Sequence, residues 1–419
     1  MPKKKLKKKK LSKKSASKKV RAAIKKSESV LAMHKAPLHR RLQKIKEHLH
    51  ALKQEHVKPK IFTHMRSIFI WSGVFVAAVL IMAGLFIYSK NKQEAQEQIS
   101  DSQLVQTNGF NLFGIGDADE EVITLIATGD VLLARYVEQR MRATGDYLLP
   151  FKLSADFLKS ADVTFGNLET PLLNGANTPK DSTTFRADPA SVKGLQFAGY
   201  DVVSVANNHT MNYQIPGLTN TLKELKKAGI LTSGGGKNQD AAHTPAILEV
   251  KGKTIAFLSY VDTKIPPRNY GIATYNTPGL ASMDIEAMKN DVKNAQTEYD
   301  IVVVSMHSGT EYKKEPAQFQ KDFAHAAIDS GANVVIGHHP HVVQPVEYYG
   351  TGVIFYSLGN FVFDQFFSQD VQTGLVARIT FEEGEKPAVE LFPVKIETTQ
   401  PRILEGVERE EMLKKLGNL

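Results

Sequence analysis

"ANVVIGHHPHVV" (332–343) decides how this chain is read. Its first half is an apolar, β-rich run of the kind that forms a buried strand. Its second half places His338, His339 and His341 within a few positions of one another. A strand that hands over to a polar motif at its carboxyl end is the building unit of α/β binding sites, because ligands collect outside those strand ends. The same layout recurs along the chain. "VITLIAT" (122–128) ends at Gly129 and Asp130, "ADVTF" (161–165) at "GNLET", and "DVVSVA" (201–206) at Asn207, Asn208 and His209. "IVVVSM" (301–306) ends at His307 and "GVIFYS" (352–357) at "LGNFVFD". Helix patterns lie between several of these runs. Residues 216–228 and 316–330 each begin at a proline and stop before a glycine, the usual asymmetry of helix ends. The fold class is therefore α/β.

Collected at the strand ends are Asp130, Asn167, Glu169, Asn208, His209, His307, His338, His339 and His341. They are oxygen and imidazole donors. The chain has no cysteine, which excludes disulfide frameworks, zinc–cysteine sites and thiol nucleophiles. The donor set suits one or two divalent ions, Mn²⁺, Fe, Zn²⁺ or Mg²⁺, with imidazole favouring the transition metals. Paired metals held this way activate water and stabilise leaving groups in phosphoester hydrolysis. Residues two apart in an extended segment face the same way, so His339 and His341 are expected to converge as ligands, stiffened by Pro340. His338 then points elsewhere, in a supporting role. Asp130 has two readings, a strand-end ligand or the N-cap of a helix beginning near Leu132. Glu169 is harder to explain as a cap, because Pro171 comes soon after it. Asn208 can offer an amide oxygen to a metal while His209 meets the substrate as acid or anion binder; alternatively both tie a loop. Arg135 either reaches a substrate anion or forms a surface salt bridge. Glu311, Tyr312, Asn360 and Asp364 are candidates for orienting the ligands.

The 419 residues carry a net charge of +9, concentrated in the lysine-rich start "MPKKKLKKKKLSKKSASKKVRAAIKK". An apolar segment further along explains that charge. Residues 68–88, "IFIWSGVFVAAVLIMAGLFIY", contain no charged side chain and are long enough to cross a hydrocarbon core of roughly 30 Å. Trp71 and Tyr88 sit near the ends as interfacial aromatics do, and the excess of Lys and Arg lies on the N-terminal side. The expected organisation is a basic cytoplasmic arm (1–67), an uncleaved signal-anchor helix (68–88), a polar linker (89–120), a folded extracellular domain (121–400) and a C-terminal tail (401–419) that forms a short helix or frays. The arm is free to bind anionic lipid headgroups. Nucleic-acid binding is not needed to account for its lysines.

The stretches "ATGDVLLARYVEQR", "FGNLETPL", "SVANNHTMNY", "HSGTEY", "VVIGHHPHVVQPVE" and "FYSLGNFVFDQ" resemble, in content and order, the CapA family of poly-γ-glutamate capsule biosynthesis proteins. The resemblance covers about residues 122–398. That family is similar to calcineurin-like metallophosphoesterases, which implies a four-layer α/β/β/α sandwich and a two-metal site. By this resemblance Asp130 matches the opening metal-binding Asp, Asn208 the Asn ligand, and His209 the His that acts on substrate. His307, His339 and His341 match the later His ligands. Two positions depart from the phosphoesterase pattern. Leu132 stands where those enzymes carry a His, and the bridging Asp is represented only by Asn167, with Glu169 two residues on.

The resemblance implies a membrane-anchored protein of capsule synthesis or export, partnered by membrane-embedded synthase subunits and the anionic polymer. Two further readings stand beside it. One is an extracellular metal-dependent hydrolase of a phosphoester or γ-glutamyl amide, with His209 passing a proton to the leaving group. The other is a non-catalytic subunit that holds the polymer.

Overall fold

The computed structural model describes residues 122–265 and 271–417. The basic arm, the apolar span at 68–88 and the linker lie outside the described residues. Among the described residues no helix is long and apolar enough to cross a membrane.

The chain opens with β1 (Ile123–Val131), α1 (Arg135–Thr144), α2 (Ala155–Leu158) and β2 (Val163–Leu168). It continues through α3 (Val192–Ala198), β3 (Val202–Ser204), α4 (Gln214–Lys227), β4 (Leu231–Ser233) and β5 (Gly235–Gly236). Next come α5 (Gln239–His243), β6 (Ala246–Val250), β7 (Lys253–Val261), β8 (Gly279–Leu280), α6 (Ile285–Glu298) and β9 (Ile301–His307). Beyond these lie α7 (Gln318–Asp329), β10 (Val334–His338), β11 (Val346–Tyr349), β12 (Gly352–Phe355) and β13 (Asn360–Val362). The end is β14 (Thr373–Phe381), β15 (Ala388–Glu397), β16 (Gln400–Ile403) and α8 (Gly406–Leu416).

Two large mixed sheets result. The first runs β16-β15-β14-β1-β2-β3-β4, with β13 also pairing β1, and the second runs β11-β12-β10-β9-β7-β6. The first sheet continues past residue 400, the expected domain end, because β16 pairs antiparallel with β15.

Alternation along the strands sorts side chains between layers. Leu125, Ala127, Phe165, Leu375 and Ala377 of the first sheet pack with Phe257, Val303, Ile336 and Phe355 of the second. Their neighbours face the other way. Ile126, Val203 and Val376 meet Val137 and Met141 of α1, Leu195 of α3 and Leu225 of α4. Val302, Val304 and Val335 meet Met288 and Val292 of α6 and Phe323 and Ala327 of α7. The two sheets thus pack face to face, with helices on both outer faces, and burial on both sides accounts for the nearly unbroken apolar runs.

Glycines let the strand ends close. A Cβ on Gly337 would lie 2.0 Å from the Tyr356 carbonyl oxygen, and one on Gly129 would lie 2.1 Å from that of Gly359. Both neighbours are backbone, so neither yields cheaply. Gly337→Ala is expected to cost about 1–3 kcal/mol, as overpacking does, and to lower Tm by roughly 3–10 °C. Thermal unfolding of the variant measures this; an unchanged Tm would show that β10 and β12 can spread without loss.

Candidate metal centre

Strand register gathers the polar residues. Asp130 lies opposite Asn167 on one side and Asn360 on the other, and His307 lies opposite His338. Asp130 is not a helix cap. It sits inside β1, and α1 begins only at Arg135 without a side-chain cap. Its Oδ1 instead accepts from Asn167 Nδ2 at 2.8 Å and its Oδ2 from the His339 backbone N–H at 3.2 Å.

His339 and His341 are brought to one site, but not by strand alternation. Their φ angles are 97° and 60°, so the backbone beyond His338 is left-handed on both sides of Pro340 rather than extended. Such conformations cost about 1–3 kcal/mol each and persist where the surroundings over-determine them. His338, still in the strand, does not point away from the cluster either. It is fully buried, with Nδ1 3.3 Å from Asp130 Oδ1, and neither ring nitrogen makes a hydrogen bond.

Glu169 is the central group. Its side chain is wholly buried and neither carboxylate oxygen has a hydrogen-bond partner. Imidazoles surround it instead. Oε1 lies 3.7 Å from His209 Nε2, 3.9 Å from His307 Nε2 and 4.0 Å from His341 Nε2. Burial, and then the charge of Asp130, push the Glu169 carboxyl well above its ordinary range. Burial pulls Asp130 the same way, but contacts with His338 and His341 outweigh it and hold Asp130 well below that range.

Three imidazoles are held neutral and one charged. Burial takes His209 and His339 down to about 3, and it also carries His307 well below its usual value. Burial acts against the charge on His341 too, yet Glu169 and Asp130 raise that ring to about 9. His209 Nδ1 faces Asn212 Oδ1 at 3.0 Å, an oxygen that already accepts the Phe185 N–H. Nδ1 therefore carries the proton and the Nε2 lone pair faces Glu169. As held, His209 can accept a proton and must take one up before it can donate. His307 Nε2 meets Asn208 Oδ1 at 2.9 Å and its Nδ1 meets Asn167 Nδ2 at 3.3 Å. Asn360 Oδ1 holds His341 Nδ1 at 2.9 Å.

The donors converge in two overlapping groups. Asp130, Glu169 and His307 each offer an atom within 4.8 Å of the others, and so do Glu169, His339 and His341. Glu169 belongs to both. Both Glu169 oxygens and the Nδ1 of His339 are buried without hydrogen-bond partners, and oxygen and imidazole groups left so are what a divalent cation satisfies.

The remaining candidates lie around this group. Arg135 forms an ion pair with Asp364, and its guanidinium lies over Phe185 and Phe363 at 4.7 and 5.7 Å. Those rings in turn contact His209 and His341. Arg135 is thus a mostly buried bridge beside the site rather than a surface pair. Glu311 is exposed and stays outside the buried group.

The model of the bacterial capsule synthesis protein family PGA_cap matches residues 124–365, more than half of the chain and every donor above. The chain belongs to that family. The Bacillus anthracis capsule biosynthesis protein CapA is 32% identical over 293 residues, 68% of this chain and 70% of that protein. The PGA biosynthesis protein CapA of Bacillus subtilis is 33% identical over 285 residues, 67% of this chain and 74% of that one. A Mycobacterium tuberculosis chain named for polyglutamine synthesis as an accessory protein is 29% identical over 250 residues, 57% of this chain and 66% of that one. A Staphylococcus aureus structure described as a candidate 5′-nucleotidase aligns over 70% of this chain and 58% of that one, at 14% identity and a TM-score of 0.40, too distant to carry a reaction across.

Family membership does not single out the residues that brace the site. Asn207 Nδ2 donates to Asn167 Oδ1 and to the Leu168 carbonyl, while its Oδ1 accepts the N–H groups of His209 and Thr210. It fixes the turn that presents Asn208 and His209. Asn212 sets the His209 tautomer, and its place three residues on in "NNHTMN" is the available signal. Phe185 stacks on His209 at 3.8 Å from a distant loop, and nothing in the sequence marks it.

Proposed function

We propose that this chain serves poly-γ-glutamate capsule synthesis through a divalent-metal centre built on Glu169. One observation carries the reading: a fully buried carboxylate with no hydrogen bond to either oxygen, set among imidazoles. A buried carboxylate without partners is costly unless a cation completes it. Membership of the capsule synthesis family and the names of the Bacillus relatives support the pathway. Glu169 belongs to both donor groups and takes the shared place that Asn167 cannot fill; Asp130, Asn208, His307, His339 and His341 complete the set. The face-to-face sheets with outer helices fit a metallophosphoesterase-like α/β/β/α sandwich.

A bound divalent ion supplies Lewis-acid stabilisation of negative charge on an oxygen of the polymer. The chain's own residues do the rest. His209 accepts a proton at Nε2, Asn212 holds its ring, and Phe185 shields that ring from water. In this reading residues 68–88 anchor the protein, residues 1–67 lie on anionic lipid in the cytoplasm, and the folded region works outside beside membrane-embedded synthase subunits.

The test is complementation. In a capsule-forming host lacking its own CapA-type protein, the whole chain is expected to restore polymer. His339→Ala/His341→Ala, equally abundant in membranes, should restore at most about a tenth, since loss of ligand support typically costs 10–100-fold. Full restoration by the double variant would remove the metal centre from the function.

A holding role without turnover is the second reading, and Leu132 favours it. Leu132 is buried in an apolar cluster with Phe185, Phe363 and Ile396, so that position supplies no ligand. Polymer length after incubation with purified protein separates the two: shortening means hydrolysis, and binding at constant length means holding.

A further inference from the structure

Tyr312 occupies a backbone conformation that its side chain does not favour. Residues 310–313 form a turn closed by the Lys313 N–H to the Thr310 carbonyl at 3.3 Å, and Tyr312, its third residue, has a φ of 64°. A turn that needs a positive φ there is ordinarily served by Gly or Asn, and a bulky residue in that region is an outlier. Outliers of this kind cluster at functional sites.

The turn is tied to the metal centre from two directions. The Tyr312 N–H donates to the carbonyl of Pro340, between His339 and His341, at 2.8 Å. Its hydroxyl accepts from Gln365 Nε2 at 3.1 Å, Gln365 Oε1 accepts from Asn360 Nδ2 at 3.2 Å, and Asn360 holds His341. The Tyr312 ring centroid lies 6.1 Å from that of His341 and 5.1 Å from the edge-on ring of Phe367. Yet Tyr312 is 43% exposed and Phe367 66% exposed. Single exposed apolar residues are ordinary; here two aromatic rings in contact are left open to solvent beside His341, one of them held in a strained turn.

We propose that Tyr312 and Phe367 form a subsite that packs against the methylene-and-amide spine of the anionic polymer next to the unit held at the metal centre. The site then takes a chain rather than a single monomer. This rests on the reading of the protein as a poly-γ-glutamate protein. A γ-linked repeat places two methylenes and a planar amide between carboxylates, a flat, weakly polar strip that aromatic rings cover while the carboxylates stay in water. Tyr312 is placed by its turn and by Gln365, so its ring is ordered before the chain arrives.

The experiment titrates fluorescent poly-γ-glutamate into the whole, detergent-solubilised protein and into Tyr312→Gly, Tyr312→Phe, Phe367→Ser and the Tyr312→Gly/Phe367→Ser pair, with metal content and Tm measured on each. The pair is expected to bind about tenfold more weakly, as loss of aromatic packing implies, at unchanged metal content. Tyr312→Phe should keep most of the affinity, and Tyr312→Gly should not lower Tm, because glycine accepts the positive φ. Wild-type affinity in the pair overturns the subsite. Weakened binding accompanied by metal loss also overturns it, since the rings would then act only by holding His341. A wild-type protein that binds no poly-γ-glutamate overturns the subsite together with the reading beneath it.

Discussion

Glu169→Gln is expected to make the metal-free protein more stable and to abolish tight metal binding. Glutamine keeps the shape and cannot ionise. In the metal-free protein the Glu169 oxygens are buried without hydrogen bonds, and burial together with Asp130 opposes their ionisation. Leaving a buried polar group unsatisfied costs about 1–3 kcal/mol. Relief of part of that corresponds to a rise in Tm of roughly 2–6 °C in chelator. The amide is a poor ligand and cannot serve both donor groups, so Mn²⁺ or Zn²⁺ affinity should fall at least about 100-fold. Thermal unfolding in chelator and calorimetric metal titration check the two halves. A variant less stable than wild type in chelator, yet binding metal as tightly, would mean that Glu169 is a structural carboxylate.

Chelation of the wild-type protein should lower Tm, and by more as pH rises. Metal at 100 times its Kd stabilises by about 2.7 kcal/mol, equivalent to roughly 5–10 °C here. The pH dependence comes from His341. Its folded value is raised to about 9 from 6.5, so the proton it holds contributes stability that is complete below 6.5 and lost as pH climbs through 9. Glu169, also raised, acts in the same direction. Metal-free protein should therefore lose Tm between pH 6.5 and 9. Metal-loaded protein should not, because the cation takes over the role of those protons. A gap between the two forms that narrows over this range would contradict the assignment of Glu169 and His341 as ligands.

Much of the site is legible in the sequence alone. The donors stand where apolar runs stop, and a run buried on both faces announces its own end. That is why Asp130, Asn167, Glu169, His307 and His338 can be placed at strand termini. Other features depend on tertiary structure. β14, β15 and β16 pair antiparallel across the first sheet, and the mixed burial of β15 and β16 leaves a weak pattern. β7 is apolar enough to be visible; it pairs parallel with β9 along most of its length, but it ends in no His or Asn to draw attention. Convergence of His339 and His341 is expected from alternation and instead arises from positive φ on both sides of Pro340, which residue type does not reveal. Asp130 reads as a possible cap because Asp commonly is one. The parallel register with Asn167 and Asn360, a long-range fact, places it in the sheet instead.

The most direct test is elemental analysis of the whole protein purified under metal-replete conditions, beside Glu169→Gln and His339→Ala/His341→Ala. A metal centre built on Glu169 predicts one or two transition-metal ions per wild-type chain and a loss of most of that metal in both variants. A folded wild-type protein that supports polymer synthesis while holding no metal would contradict it.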